Sequence, residues 1–470
     1  MDTTQDNVMS PDPTRLSYEQ LLEENDRLRR ALKQAQQRID ELTRLIEKVE
    51  REGKRQAAPF RKQEGPAKKP KKPGRKRGKR HGRHAHRSVP PRIDETYDVP
   101  LPERCPRCGG THLVEIKVTP QYQTEIPRAV IYRRFDVHVG RCDDCRHTVQ
   151  GRHELQTSTA RGAAGSQLGP GVHALLAILN KQLGLSHGKS VKLLGTMFEE
   201  LQLARSTSAR SCQRTASRVK PAYEQIGRMV RGASEVAPDE TGWRVAGSSA
   251  WLHVFASPQA TYYDIDPTRS REPAARLLGL DWKGTLVHDG WSVYDHFANA
   301  FHQQCLGHLQ RRCQDLADRA RGGAVRFPRA VLKLIDEAFA LRRKWRGHRI
   351  SADALAEAGL ALSCNMRDLA SGRFTNDANR RLASHLLKHG MHWFWFLIDP
   401  TIAATNYRAE QAVRPAVVNR KVWGGNRTWR GAETQSILMS VLQTCQQQLL
   451  RPFDFLSQAL CSSAPRLLPF

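Results

Sequence analysis

The stretch from Lys54 to Arg87, which contains KKPKKPGRKRGKRHGRHAHR, constrains the fold of this 470-residue chain more than any other. It holds fifteen Lys and Arg against one acid, Glu64, and so carries half of the net charge of +28. A segment this rich in charge, Pro and Gly has too little apolar surface to offset the entropy of ordering it. Residues 54–92 are therefore expected to be a disordered linker, with one module before it and several after it. A positive field of this size concentrates polyanions, so nucleic acid is the expected partner, and the linker is expected to touch phosphates without reading bases.

In the first module, residues 16–51, apolar side chains recur at heptad spacing. Tyr18, Asn25, Leu32, Ile39 and Ile46 take the a positions, and Leu21, Leu28, Ala35, Leu42 and Val49 the d positions. Such a pattern over more than four heptads predicts a dimerisation coil, and a core Asn like Asn25 selects register and two strands at a cost in stability. A single amphipathic helix lying on the rest of the protein is the alternative. The expected state is a homodimer or a higher oligomer. The opening MDTTQDNVMS lacks a signal-peptide pattern, and no apolar run reaches the roughly 18 residues that cross a bilayer. A cytoplasmic, nucleoid-associated protein without membrane contact is expected.

Thiols stay reduced in that compartment, so paired cysteines suggest metal rather than disulfide. CPRC, Cys105 to Cys108, and CDDC, Cys142 to Cys145, are separated by 33 residues. Cys105, Cys108, Cys142 and Cys145 together offer four thiolates to one tetrahedral Zn²⁺, which is structural because no position stays open. The intervening YQTEIPRAVIYRRFDVHVGRC reads as β-rich, so residues 98–150 are expected to form a zinc ribbon.

Residues 168–230 read as helical throughout. In RSTSARSCQRTASRV, Ala209, Cys212, Ala216 and Val219 share one helical face, while Arg210, Arg214 and Arg218 recur on the other. This suits a recognition helix of the helix-turn-helix kind, with Arg205, Ser206 and Thr207 near base edges, and suits almost equally a bundle with a solvated basic face. Arg205, Arg210 and Arg214 are the DNA-binding candidates of this region.

From residue 233 the texture turns to β. EVAPDETGWRV, AWLHVFAS and ATYYDID predict three antiparallel strands, GTLVHDGW a further strand ending at Asp289, and HQQCLGHLQRRCQDLADRA a strand leading into a helix. That order predicts a mixed sheet with helices in a multidomain α/β protein. A helical insertion is expected over 325–400. TNYRAEQAVRP then starts a helix with Asn406, Glu410 and Arg414 on one face. Residues 451–470 are expected to be a C-terminal tail.

DETGW, VHDGW, CLGHLQRRC and AEQAVRP, in this order, resemble the transposases of the IS66 family of bacterial insertion sequences. The similarity runs from the coil to the C-terminal NRKVWGGNRTWRGAETQSILMSVLQTC. It implies an RNase H-like fold over residues 233–450, with Asp239, Asp289 and Glu410 as the DDE triad that binds Mg²⁺ in a two-metal site. It also implies an enzyme that binds the terminal inverted repeats, cleaves a strand at each end and joins the 3′-hydroxyl to target DNA, with small accessory proteins of the same element as further partners. The chemistry agrees, since carboxylates are the hard oxygen ligands of Mg²⁺ and two such ions serve both ends of an in-line displacement at phosphorus. Strand alternation alone does not choose between Asp239 and Glu240, and Asp264, Asp266 and Glu433 also remain open. The family commonly has Asn-Asn before the last helix and Arg after its glutamate, where this chain has Tyr407 and Gln411. CLGH, Cys305 to His308, reads as a strand end and helix start rather than as a second zinc site. Arg311, Arg312 and Arg414 are candidates for holding phosphate, because guanidinium forks match its geometry. A DNA-binding regulator or domesticated relative with a silent metal site, or a nuclease of the same fold, is the alternative.

Overall fold

The structure is a computed structural model that describes residues 22–32 with scattered positions between 19 and 38, residues 89–160 except 125, 127 and 128, and residues 167–469. Most of the expected linker and the last heptads of the expected coil lie outside the described residues. The chain divides into two compact units, Met1–Glu125 and Ile126–Phe470.

In the first unit, residues 22–32 are helical, as the heptad spacing requires, and Leu22, Leu28 and Leu32 stay 52%, 60% and 73% exposed. The CPRC segment folds into a tight turn in which Gly109 N–H donates to Cys105 O at 2.8 Å and Cys105 N–H to Gly110 O at 2.8 Å. Gly109 closes it at φ +74°, where a side chain would be strained.

The second unit opens with strands Val139–Arg141 (β1) and Thr148–Gln150 (β2), antiparallel, with the CDDC turn between them. Arg146 N–H donates to Cys142 O at 2.9 Å, and Arg146 takes the left-handed conformation (φ +58°) that Gly109 takes in the first turn. The β-rich reading of the segment before this hairpin needs correction. Of residues 122–142, only Val139–Arg141 are strand among the described residues, and Ile131 and Tyr132 are 69% and 76% exposed. Alternating side chains make a half-buried strand only when a neighbouring strand completes the ladder, and the β1–β2 pairing reaches back only to His138, whose O accepts from Gly151 N–H at 3.0 Å.

A five-stranded sheet organises the rest: Glu235–Val245 (β3), Ser248–Ala256 (β4), Thr261–Asp266 (β5), Thr285–His288 (β6) and Phe301–Gln304 (β7), in the order β5-β4-β3-β6-β7. β3, β4 and β5 are antiparallel neighbours, while β6 and β7 run parallel to β3. The β3–β4 hairpin turns through Ala246 and Gly247, both at positive φ (50° and 82°), the two-residue geometry that matches strand twist. This mixed sheet with its helices is compatible with an RNase H-like core.

Alternation sends adjacent residues of each strand into different cores. Val236, Phe255 and Leu286 join a core with the helices Pro170–Ala177 (α1), Arg205–Gly232 (α3) and Trp429–Gln447 (α11). Ala237, Ala256 and Val287 face the other way, into the core of the helical lobe. Trp243 and Val254 lie on that second face too, against the helix Tyr407–Trp423 (α10). His187–Met197 (α2) precedes α3, and Glu272–Leu278 (α4) connects β5 to β6. After β7 come Leu306–Arg319 (α5), Arg326–Arg346 (α6), Ala352–Ala370 (α7), Asp377–His389 (α8) and the short Trp395–Ile398 (α9). α6 to α9 lie within the helical insertion expected at 325–400, and α5 packs with them around Val331, Leu355, Leu382 and Phe396.

The helices of 168–230 are not separate from the sheet: Ala174, Cys212 and Ile226 share one core with Val236 and Phe255. Nor are residues 451–470 a loose tail. Pro452–Cys461 (α12) buries Leu456 and Leu460, and the Gln225 side chain bonds both the N–H and the C=O of Leu468, at 2.9 and 3.2 Å.

Candidate active site

The sheet and α10 bring Asp239, Asp289 and Glu410 into one place. β3 and β6 pair in parallel with Val236 opposite Leu286. The ladder ends at that pair; Asp239 lies three residues further along β3 and Asp289 three residues beyond Leu286, close enough for the Asp289 charge to act on Asp239. Asp239 pairs across the hairpin with Val254, whose side chain packs on α10, whereas Glu240 pairs with His253 on the opposite face. Of the two adjacent acids, Asp239 therefore points toward the helix that carries Glu410.

Four contacts position that helix. The buried Glu235 carboxylate accepts from Arg408 in the first turn of α10 and from Ala403 N–H at 2.8 Å. Leu306 N–H donates to Ala404 O at 3.1 Å, and Asn406 N–H to the Cys305 sulfur at 3.3 Å. Glu410 N–H closes the first turn on Asn406 O at 3.0 Å.

The acids perturb one another. Burial first, then the charges of Glu240, Asp289 and Glu410, push the Asp239 carboxyl up to about 7, opposed by the Glu240 N–H that donates to its Oδ1 at 2.9 Å. Burial likewise raises Glu240, but Arg269 donates to it from Nε at 3.0 Å and from Nη2 at 2.6 Å and draws it back. The Arg269 guanidinium sits between Trp251 and Trp291, 4.8 and 4.6 Å from their ring centroids. Asp289 Oδ1 accepts from Trp291 N–H at 3.0 Å, and Glu410 Oε1 accepts from Arg311 Nη2 at 2.9 Å.

Behind Asp289 lies a run of imidazoles, with the Gln304 side-chain amide also 3.4 Å from His288 Nε2. His302 Nε2 donates to Phe297 O (3.3 Å), leaving its Nδ1 to accept from His288 Nε2 (3.0 Å), and His288 Nδ1 accepts from Gly290 N–H (3.2 Å). Both rings are neutral in this arrangement. Desolvation lowers both, and it also lowers His385 and His392 to about 4 and His389 below its ordinary value.

The arginine candidates separate. Arg311 lies on Glu410, and Arg414 is exposed one turn further along α10, bonding Gln411 at 3.2 Å. Arg312 is half-buried on the lobe side, where it influences His385. Arg205 and Arg210 are exposed on the first turns of α3, while Arg214 bonds Gln167 at 2.5 Å. The cysteine pairs fall in different units. Within each turn the backbone N–H groups of its last two residues aim at the first sulfur and push the Cys105 and Cys142 thiols down. Sequence reasoning missed Arg269, Tyr294 and the Glu235–Arg408 pair. Tyr294 is fully buried beside Glu240, and nothing in its local sequence marks it. Cys305 and His308, read as a strand end and helix start, stand beside Glu410 with ligand atoms within 4.8 Å of one another.

The chain is 25% identical over 403 residues to the uncharacterized protein y4hP of Sinorhizobium fredii, covering 77% of this chain and 71% of that protein. It is 24% identical over 282 residues to the uncharacterized protein y4jD of the same organism, covering 53% of each. A family model described as Transposase IS66 family matches residues 165–434, a span that runs from just before α1 into α11 and includes all three acids. The chain belongs to the IS66 family of transposases.

Proposed function

We propose that this transposase binds the terminal inverted repeats of its insertion sequence and uses Asp239, Asp289 and Glu410 as Mg²⁺ ligands for strand cleavage and strand transfer. The observation that carries this reading is the placement of Asp239 on the sheet face under the helix of Glu410, where Glu240, Asp289 and Glu410 crowd its carboxyl. Like charges gathered at one strand end make a site short of a cation, and an all-oxygen donor set suits a hard ion. Mg²⁺ bound there supplies activation of the attacking oxygen and stabilisation of the leaving one. The protein's own groups do the positioning. Trp291 N–H fixes Asp289, Glu235 fixes the turn that carries Glu410, and Arg311 neutralises Glu410 until the ligands are taken up. Exposed Arg414, together with Arg205 and Arg210 on α3, gives the DNA backbone cationic partners, and each cysteine turn presents two sulfurs suited to structural zinc.

The test is incubation with DNA of the element's own end and Mg²⁺, scoring nicking and joining. Asp239→Ala, Asp289→Ala and Glu410→Ala should each abolish both while leaving binding in chelator nearly intact. Normal cleavage by Asp239→Ala overturns the assignment. Nicking without joining favours a nuclease, and specific binding with neither favours a regulator.

A further inference from the structure

Glu410 has a second set of neighbours that the three-acid reading does not use. Cys305 follows β7 and precedes α5, its N–H bonding His288 O at 2.7 Å, and His308 comes one turn later on α5. The sulfur, an imidazole nitrogen and a carboxylate oxygen of Cys305, His308 and Glu410 lie within 4.8 Å of one another. His308 Nδ1 is buried without a hydrogen-bond partner and stands 3.7 Å from Glu410 Oε1. Zinc bonds of about 2.1 Å to nitrogen and oxygen imply a tetrahedral edge of roughly 3.4 Å, so this pair is a few tenths of an ångström from the spacing an ion imposes. The Cys305 sulfur is buried and accepts the Asn406 N–H at 3.3 Å, which holds it facing the other two groups.

We propose that Cys305, His308 and Glu410 form a second, softer cation site that takes Zn²⁺ and, when filled, withdraws Glu410 from Asp239 and Asp289. One thiolate and one carboxylate cancel the charge of a divalent ion, and the fourth position is left to water. The sulfur–nitrogen–oxygen set selects zinc, cobalt or cadmium over magnesium, which wants oxygen alone. Arg311, on Glu410 and largely exposed, swings out as the ion enters. Zinc binding stands on this geometry alone; the inhibition that follows rests on the transposase reading.

Zinc bound per full-length chain at buffered micromolar free Zn²⁺ should be one equivalent higher in the wild type than in Cys305→Ser or His308→Asn. Equal counts overturn the proposal, and His308→Asn, at a half-exposed position, carries the result if the buried Cys305→Ser misfolds. In nicking assays with millimolar Mg²⁺, the same zinc should slow the wild type at least tenfold. His308→Asn should slow less than twofold relative to its own zinc-free rate. Equal slowing of both proteins overturns the inhibitory role. Absence of nicking by zinc-free wild type counts against the transposase reading and leaves the zinc count standing.

Discussion

Asp239 shows how a single residue can be cheap in sequence and costly in structure. Its carboxyl is pushed to about 7, while an unfolded Asp sits near 3.9. Between these values the folded state holds the proton that the unfolded state has lost, so stability falls as pH rises through this window, and the full penalty applies above it. Asp239→Asn should therefore raise the melting midpoint of the metal-free protein by about 2–4 °C at pH 8, with a smaller gain at pH 5. Calorimetry at the two pH values checks this, and an equal gain at both would contradict it. DETGW marks two acids, but choosing between them requires knowing which sheet face lies under α10, and the packing partners that decide this are more than a hundred residues away. Arg269 had no local signal at all, because its aromatic partners come from β4 and from the loop after β6.

At the scale of elements, α10 depends on a buried ion pair. Removing one partner of such a pair strands the other, so Glu235→Ala, which also orphans Ala403 N–H, should cost about 2–4 kcal/mol in urea denaturation. The same change should lower cleavage by loosening the first turn that carries Glu410. For α12, Leu456→Ala at a fully buried position should cost about 2–5 kcal/mol, whereas an unpacked tail would show no change. The hairpin β3–β4 and the helical lobe were legible, since period-two alternation and helical spacing are local properties. The packing of α12 on α1 was not: a ten-residue helix signals little by period alone, and its partner lies near residue 170. Of the β-rich segment that ends at Cys142, only β1 is strand among the described residues, because only that part has β2 beside it to complete the ladder.

Across the whole second unit, the neutral histidines link the fold to pH. His385 and His392, lowered to about 4, and His288, His302 and His389, lowered as well, are all held down chiefly by burial. Unfolded histidines take up protons from about pH 6.5 downward while these do not, so stability is fully present above that value and is lost as pH falls toward 4. Urea midpoints measured from pH 7 to 4.5 should fall steadily. His392→Gln should flatten the slope, and an unchanged slope would remove His392 from the effect. The lobe that contributes three of these rings also separates the acids along the chain: Asp289 directly follows the fourth strand of the sheet, and Glu410 comes only after α5 to α9. Contacts so distant in sequence form late, because their loops must close first. A chain part-way through synthesis thus presents two acids on a nearly finished sheet before the third exists. The three acids are among the last groups of the sheet to be brought together, and a nascent chain holds two of them with no third to share a ligand.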